Sequence, residues 1–251
     1  GDHRDLHLSL RRQRQMCIRD RTLFVCLFAT TAIAQPGLSV FTINTDDAAG
    51  YLKWLTESTP TFVDAWGDSV VSSGICSPIS GGEDDGDHYV WNISPSMTAT
   101  LAANDRAFND EASLKAISKI SKKREIKRRD IYNVVKPSNS SYSAGVTLAQ
   151  YNLLSRPNDM SKYIKTIEAM ENAASENGFD DIEFVVFEGF GAGDWSRMAM
   201  ASIQAPSIER LGAFMDARQS DWMAESMSAF PSMRTPVRDW FLLCTTLSSV
   251  E

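Results

Sequence analysis

The chain repeats itself, and that constrains its fold more than any other feature. Asp47-AAG-Tyr51-LKWL is echoed by Asp159-MSK-Tyr163-IKTI, an offset of 112 from Tyr51 to Tyr163. Each reads as an acidic helix N-cap followed by a stripe of aromatic and aliphatic residues. Gly86-Asp87-His88 and Gly193-Asp194-Trp195, 107 apart, each read as a turn opening an alternating strand. The segments starting at Ser96 and Ser207, 111 apart, read as second amphipathic helices. The order is the same in both halves, and the drifting offsets fit loop insertions.

The first half is expected to run as a strand at 38–44, a helix at 47–66, a hairpin of 74–79 with 88–93, a helix at 96–119 and a strand at 130–135. The second follows as a strand at 146–154, a helix at 159–177, a hairpin of 182–188 with 195–203, a helix at 207–227 and a strand at 237–245. The Pro- and Ser-rich stretch KPSNSSYSAG joins them. Boundaries then fall at 35–137 for the first repeat, 138–145 for the linker and 146–251 for the second repeat.

Upstream of the repeats, residues 22–34 form a short apolar run ending Ala32-Ile33-Ala34. Small residues at −3 and −1 suit signal peptidase, so cleavage after Ala34 and a periplasmic or secreted protein are expected. Residues 9–21, SLRRQRQMCIRDR, resemble translated sequencing adapter, and residues 1–21 are set aside as non-native. From Gln35 onward 19 basic side chains face 29 acidic ones, a net charge of −10. That balance argues against nucleic acid or an anionic membrane as partner, and the leader run is too short to span a bilayer. Cys76 and Cys244 are the cysteines of this region; 168 positions apart, they fit either a disulfide or two buried thiols.

Strand–helix–strand–strand–helix–strand is the order of the ferredoxin-like split unit, an α+β fold whose sheet carries helices on one face only. Two tandem copies, each covering the other's bare sheet face, resemble the dimeric α+β barrel superfamily in single-chain form. The resemblance implies a monomer that is a pseudo-dimer, or a further homo-oligomer of it, with a small-molecule cleft between the repeats. Haem-binding tandem barrels of this kind place their proximal histidine in the C-terminal copy, which here has none, and no cofactor is expected.

Alternation on the third strand of each unit predicts which side chains face that cleft. Tyr89, Trp91 and Ile93, with Met198 and Met200, are expected to face the helices. His88, Val90 and Asn92, with Trp195, Arg197 and Ala199, are expected to line the cleft. His88 is then a candidate general base for an isomerase or monooxygenase acting without a metal, a candidate haem ligand, or a surface histidine at a hairpin mouth. Trp195 and Arg197 could hold a carboxylate or aromatic anion, or Arg197 could pair with Glu183 or Glu188. Glu83, Asp84, Asp85 and Asp87 form an acidic turn that could hold Ca²⁺ weakly, though without EF-hand spacing. The basic run Lys119–Asp130 reads as a solvated helix end. Hydrolase, nucleotide-binding and CxxC signatures are missing after Gln35. The expected function is therefore binding of a small apolar or anionic ligand, with the enzyme as the alternative and a haem-binding protein as the third reading.

Overall fold

The structure is a computed structural model and describes residues 34–250; all of the expected leader but its last residue, Ala34, and what precedes it lie outside them. Its elements are strand β1 (Gly37–Asn44), helix α1 (Ala48–Trp66), β2 (Ser72–Ser80), β3 (Asp87–Ser94), α2 (Met97–Asn109), α3 (Glu111–Ser118) and β4 (Glu125–Lys136). The same succession follows as β5 (Thr147–Pro157), α4 (Met160–Glu176), β6 (Glu183–Gly191), β7 (Ala199–Ala205), α5 (Ile208–Ala217), α6 (Asp221–Met233) and β8 (Arg234–Ser249). The fold is thus mixed α and β, with six helices and eight strands among the described residues.

Helix starts follow from local chemistry. Asp47 accepts from the Gly50 amide at 2.9 Å and Asp159 from the Lys162 amide at 3.0 Å, as the acidic N-caps predict. Ser96 and Ser207 cap α2 and α5 in the same way. Each cap is worth about 1 kcal/mol. The single helix expected over 96–119 is broken at Asp110, which turns extended and accepts from the Ser113 amide at 2.7 Å, starting α3 afresh. The helix expected over 207–227 likewise splits before Asp221.

All neighbouring strands are antiparallel and close into one barrel in the order β1-β3-β2-β8-β5-β7-β6-β4. Closure leaves no open sheet edge. Two seams, β2–β8 and β4–β6, join the strands of the first half to those of the second. Helices cover the outside in two clusters: α1 contributes Tyr51, Leu55, Phe62 and Trp66 to one, while α4 to α6 contribute Tyr163, Ile167, Phe214 and Phe230 to the other. A third cluster lies within the barrel, around Leu38, Tyr132, Leu154, Phe187, Trp240 and Leu242. Among the described residues no helix is long and apolar enough to cross a membrane.

Candidate functional site

Eight strands enclose a space that side chains can fill, or that can hold one small ligand. Here the filling is incomplete, and a cavity of about 410 Å³ remains in the barrel. That size suits a small-molecule site, for which about 300–1,000 Å³ is usual. One wall comes from β1, β3 and β4 and is apolar and aromatic: Leu38, Val40, Tyr89, Trp91, Ile93 and Tyr132. The facing wall, from β5, β7 and β8, interleaves Gln150, Asn152, Gln204 and Thr246 with Met200 and Trp240. Behind it Ser202 donates to Gln150 Oε1 at 3.2 Å.

A disulfide between Cys76 and Cys244 lines the cavity where β2 meets β8, at directly paired positions of that seam. The two halves of the chain are therefore tied covalently at the cavity wall, which decides the alternatives left open by the cysteine count.

Three polar atoms lining this space are buried with no hydrogen-bond partner: Tyr89 Oη, Asn152 Oδ1 and Trp240 Nε1. They are neighbours. Asn152 pairs with Trp240 across β5 and β8, and the Tyr89 and Trp240 rings lie 6.3 Å apart, centre to centre. Burial pushes the Tyr89 phenol above its usual pKa, opposed by the nearby Arg238 guanidinium. Buried polar groups in native proteins are almost always satisfied, so three together are unusual.

The ends of the cavity differ. At one, the Pro137–Tyr142 segment between β4 and β5 lines the space through Ser138, Ser140 and Tyr142. Buried Glu183 tethers that segment, accepting from the hydroxyls of Ser138 and Ser140. At the other, Trp195 closes the space with the Arg128 guanidinium stacked 3.5 Å from its ring centre and Arg238 at 5.5 Å. Both cations are engaged. Arg128 holds Asp130 bidentately at 3.1 and 3.2 Å, and Arg238 pairs with Glu83. Asp130 is itself buried and lines the cavity.

The residues expected at the site are scattered. The facing assignment of β3 is reversed: Tyr89, Trp91 and Ile93 join the interior cluster, as do Met198 and Met200, while Val90 packs on the α1 side. The reason is visible in β7, where three of the four helix-facing residues, Ala199, Ala201 and Ala205, are small and leave room for Tyr163 and Phe214, the fourth being Ile203. His88 does not line the cavity; its Nδ1 lies 2.8 Å from Ser77 Oγ, and burial lowers its pKa against the pull of Asp87. Asn92, buried with its Oδ1 unpartnered, is also absent from the cavity wall. Trp195 does line it, but from a turn before β7. Arg197 is exposed with a φ of 67° and lies outside both strand and cavity, so the cation on Trp195 is Arg128.

In the acidic turn, Glu83 pairs with Arg238, and Lys127 with both Asp84 and Asp87, the latter at 3.6 Å. Asp85 is exposed. Among the described residues no three His, Cys, Asp or Glu side chains converge as metal ligands. Half of the expected helix end over Lys119–Asp130, from Glu125 onward, is strand β4, and the run's guanidiniums meet aromatics: Arg129 lies 4.7 Å from the Phe108 ring centre, and Arg124, just before the strand, donates to Tyr51 Oη at 3.0 Å. The cavity's Asp130, Asn152 and Trp240 went unread in the sequence. The signal was there in β5, where Gln150 and Asn152 alternate with Ala149, Tyr151 and Leu153.

No family model matches the chain, and no curated protein matches it. Solved structures do. A candidate monooxygenase from Lactobacillus acidophilus superposes with a TM-score of 0.56 at 10% identity, covering 86% of this chain and 98% of that one. A second candidate monooxygenase, from Fusobacterium nucleatum, gives 0.53 at 14%, with 86% and 94% covered. A haem-binding protein from Thermus thermophilus gives 0.50 at 12%, with 84% and 91% covered. At these identities the likeness is one of fold alone: an eight-stranded antiparallel barrel with helices outside it.

Proposed function

We propose that this protein binds a small, largely apolar molecule of aromatic size inside its barrel, between two copies of one ferredoxin-like βαββαβ unit, β1–β4 and β5–β8. The observation that carries the reading is the cavity of about 410 Å³, walled by aromatic rings yet holding three unpartnered polar atoms. A packed structural core would fill such a space and leave no polar atom idle. An exported protein is the setting we propose, and the Cys76–Cys244 bridge supports it, since disulfides persist in oxidising compartments.

The neighbours described as monooxygenases and as haem-binding invite stronger readings. Catalysis by His88 is not among them, because His88 cannot reach a molecule in the cavity. The carboxylate that can is Asp130, and both its oxygens are taken by Arg128. A histidine-ligated haem does not fit the residues present either: His88, the sole histidine after residue 7, does not line the cavity. Ligand binding is what the geometry supports.

Mass spectrometry of the protein purified from an exporting host, native and then denatured, tests this. A retained small molecule released on denaturation is expected. Failure to retain any, together with no uptake of bicyclic aromatic probes, would remove the proposal. N-terminal sequencing of the same sample should begin at Gln35.

A further inference from the structure

Resting on that reading, we infer that the ligand is electrically neutral and carries a carbonyl-type acceptor beside an N–H or O–H donor, a carboxamide-like group on an aromatic-scale body. The argument starts from the inventory of idle atoms. Trp240 Nε1 can only donate, and Tyr89 Oη can donate or accept. Asn152 Oδ1 can only accept. Trp240 and Asn152 are buried to more than nine-tenths and both line the cavity. One ligand oxygen accepting from the indole and the phenol, with one donor turned to Asn152, would satisfy all three at once.

Charge narrows the class further. An anion entering this space must be desolvated, and it needs a free cation to offset that cost. The two guanidiniums near Trp195 are spent on Asp130 and Glu83, and the one carboxylate on the cavity wall would repel a second. The anionic ligand expected from Trp195 and Arg197 therefore has no partner here. A quaternary ammonium would welcome the aromatic walls. It would leave the Trp240 and Tyr89 donors as idle as before, and the only carboxylate is already paired. A plain hydrocarbon leaves all three atoms as idle as before, so it gains only the contacts of its body and falls behind a ligand that also pairs them. The neutral acceptor–donor group is the class that remains.

The test compares four probes of one shape: 2-naphthamide, 2-naphthoate, 2-naphthyltrimethylammonium and 2-methylnaphthalene. Affinities are measured by calorimetry or Trp fluorescence on the whole protein with its disulfide intact. The amide should bind at least about tenfold more tightly than each of the others. Tyr89→Phe and Asn152→Leu should each cost the amide about five- to tenfold while leaving 2-methylnaphthalene within twofold, with thermal melts confirming that both variants fold. Tightest binding by the carboxylate or the ammonium would overturn the inference. So would equal binding of all four, although the cavity reading would then stand. If none of the four binds, the cavity reading falls with it.

Discussion

The two walls of the barrel cavity are built from matching strands yet do opposite things. The wall from β1, β3 and β4 presents mostly rings and aliphatic chains, with the Asp130 carboxylate and the Tyr89 hydroxyl as its chief polar groups. The wall from β5, β7 and β8 sets carboxamides and a hydroxyl at the inward positions Gln150, Asn152, Gln204 and Thr246. A closed barrel gives both walls the same backbone, so the difference lies entirely in side chains. It teaches that the interior is asymmetric by composition: one side supplies contact area, the other supplies direction. That division is what a site orienting one face of a flat molecule requires.

The seam between the walls is the first place to break the comparison. Replacing Cys244 by Ala frees β8 from β2 at the cavity, and the loss of a long-range disulfide should cost about 2–5 kcal/mol of stability. Urea melts of the oxidised protein and the variant measure it. A loss under about 0.5 kcal/mol would mean that the backbone ladder alone holds the walls together.

The aromatic wall can be disturbed from behind. A Cβ on Gly74 would sit 2.4 Å from the Trp91 ring and 2.3 Å from the Thr245 carbonyl oxygen. Gly74→Ala must therefore move the indole, the strand or both, at about 1–3 kcal/mol. Binding of a bicyclic probe should weaken in parallel, because the space Trp91 defines is the space the probe would use.

On the amide wall the expected sign reverses. Asn152→Leu removes a buried oxygen that no group satisfies, so the free protein should gain about 1 kcal/mol, a rise of about 2–4 °C in Tm. Stability and ligand affinity then move in opposite directions at one position, the behaviour of a residue kept for binding. A fall in Tm would show that Asn152 serves the fold.

These contrasts also show what could be read in the sequence. The strand and helix order was legible, because N-caps such as Asp47 and Asp159 and the hairpin glycines act locally. Which face of a strand looks inward was not. In β3 both faces are covered, one by helices and one by the barrel interior, so alternation of Tyr89 and Trp91 with His88 and Val90 separates two buried sides rather than core from water. Size misled as well: large residues went to the wide interior and small ones under the helices. Arg128 and Trp195 are 67 residues apart, and only barrel closure stacks them.

His88 offers the smallest effect and a check on its reassignment. Its folded pKa lies below the ordinary 6.5, chiefly through burial. The unfolded chain takes up its proton first, so stability should fall as pH drops through about 6.5 and level off once the folded imidazole also protonates. Above that window His88 contributes nothing to the pH dependence. In His88→Asn the slope between pH 7.5 and pH 5 should flatten slightly, as seen in thermal melts, while probe affinity at pH 7.5 stays unchanged. A marked loss of affinity would return His88 to the site.

The account as a whole rests on where a ligand sits, and the methionines report on that directly. Met200 lines the barrel cavity, whereas Met170, Met223 and Met227 line a void of about 50 Å³ on the helix side of the second half. With the methionine methyls labelled with ¹³C, titration by 2-naphthamide followed by NMR should move the Met200 resonance and leave those three in place. Shifts confined to Met170, Met223 and Met227, with Met200 still, would put the ligand under the helices and contradict a binding site inside the barrel.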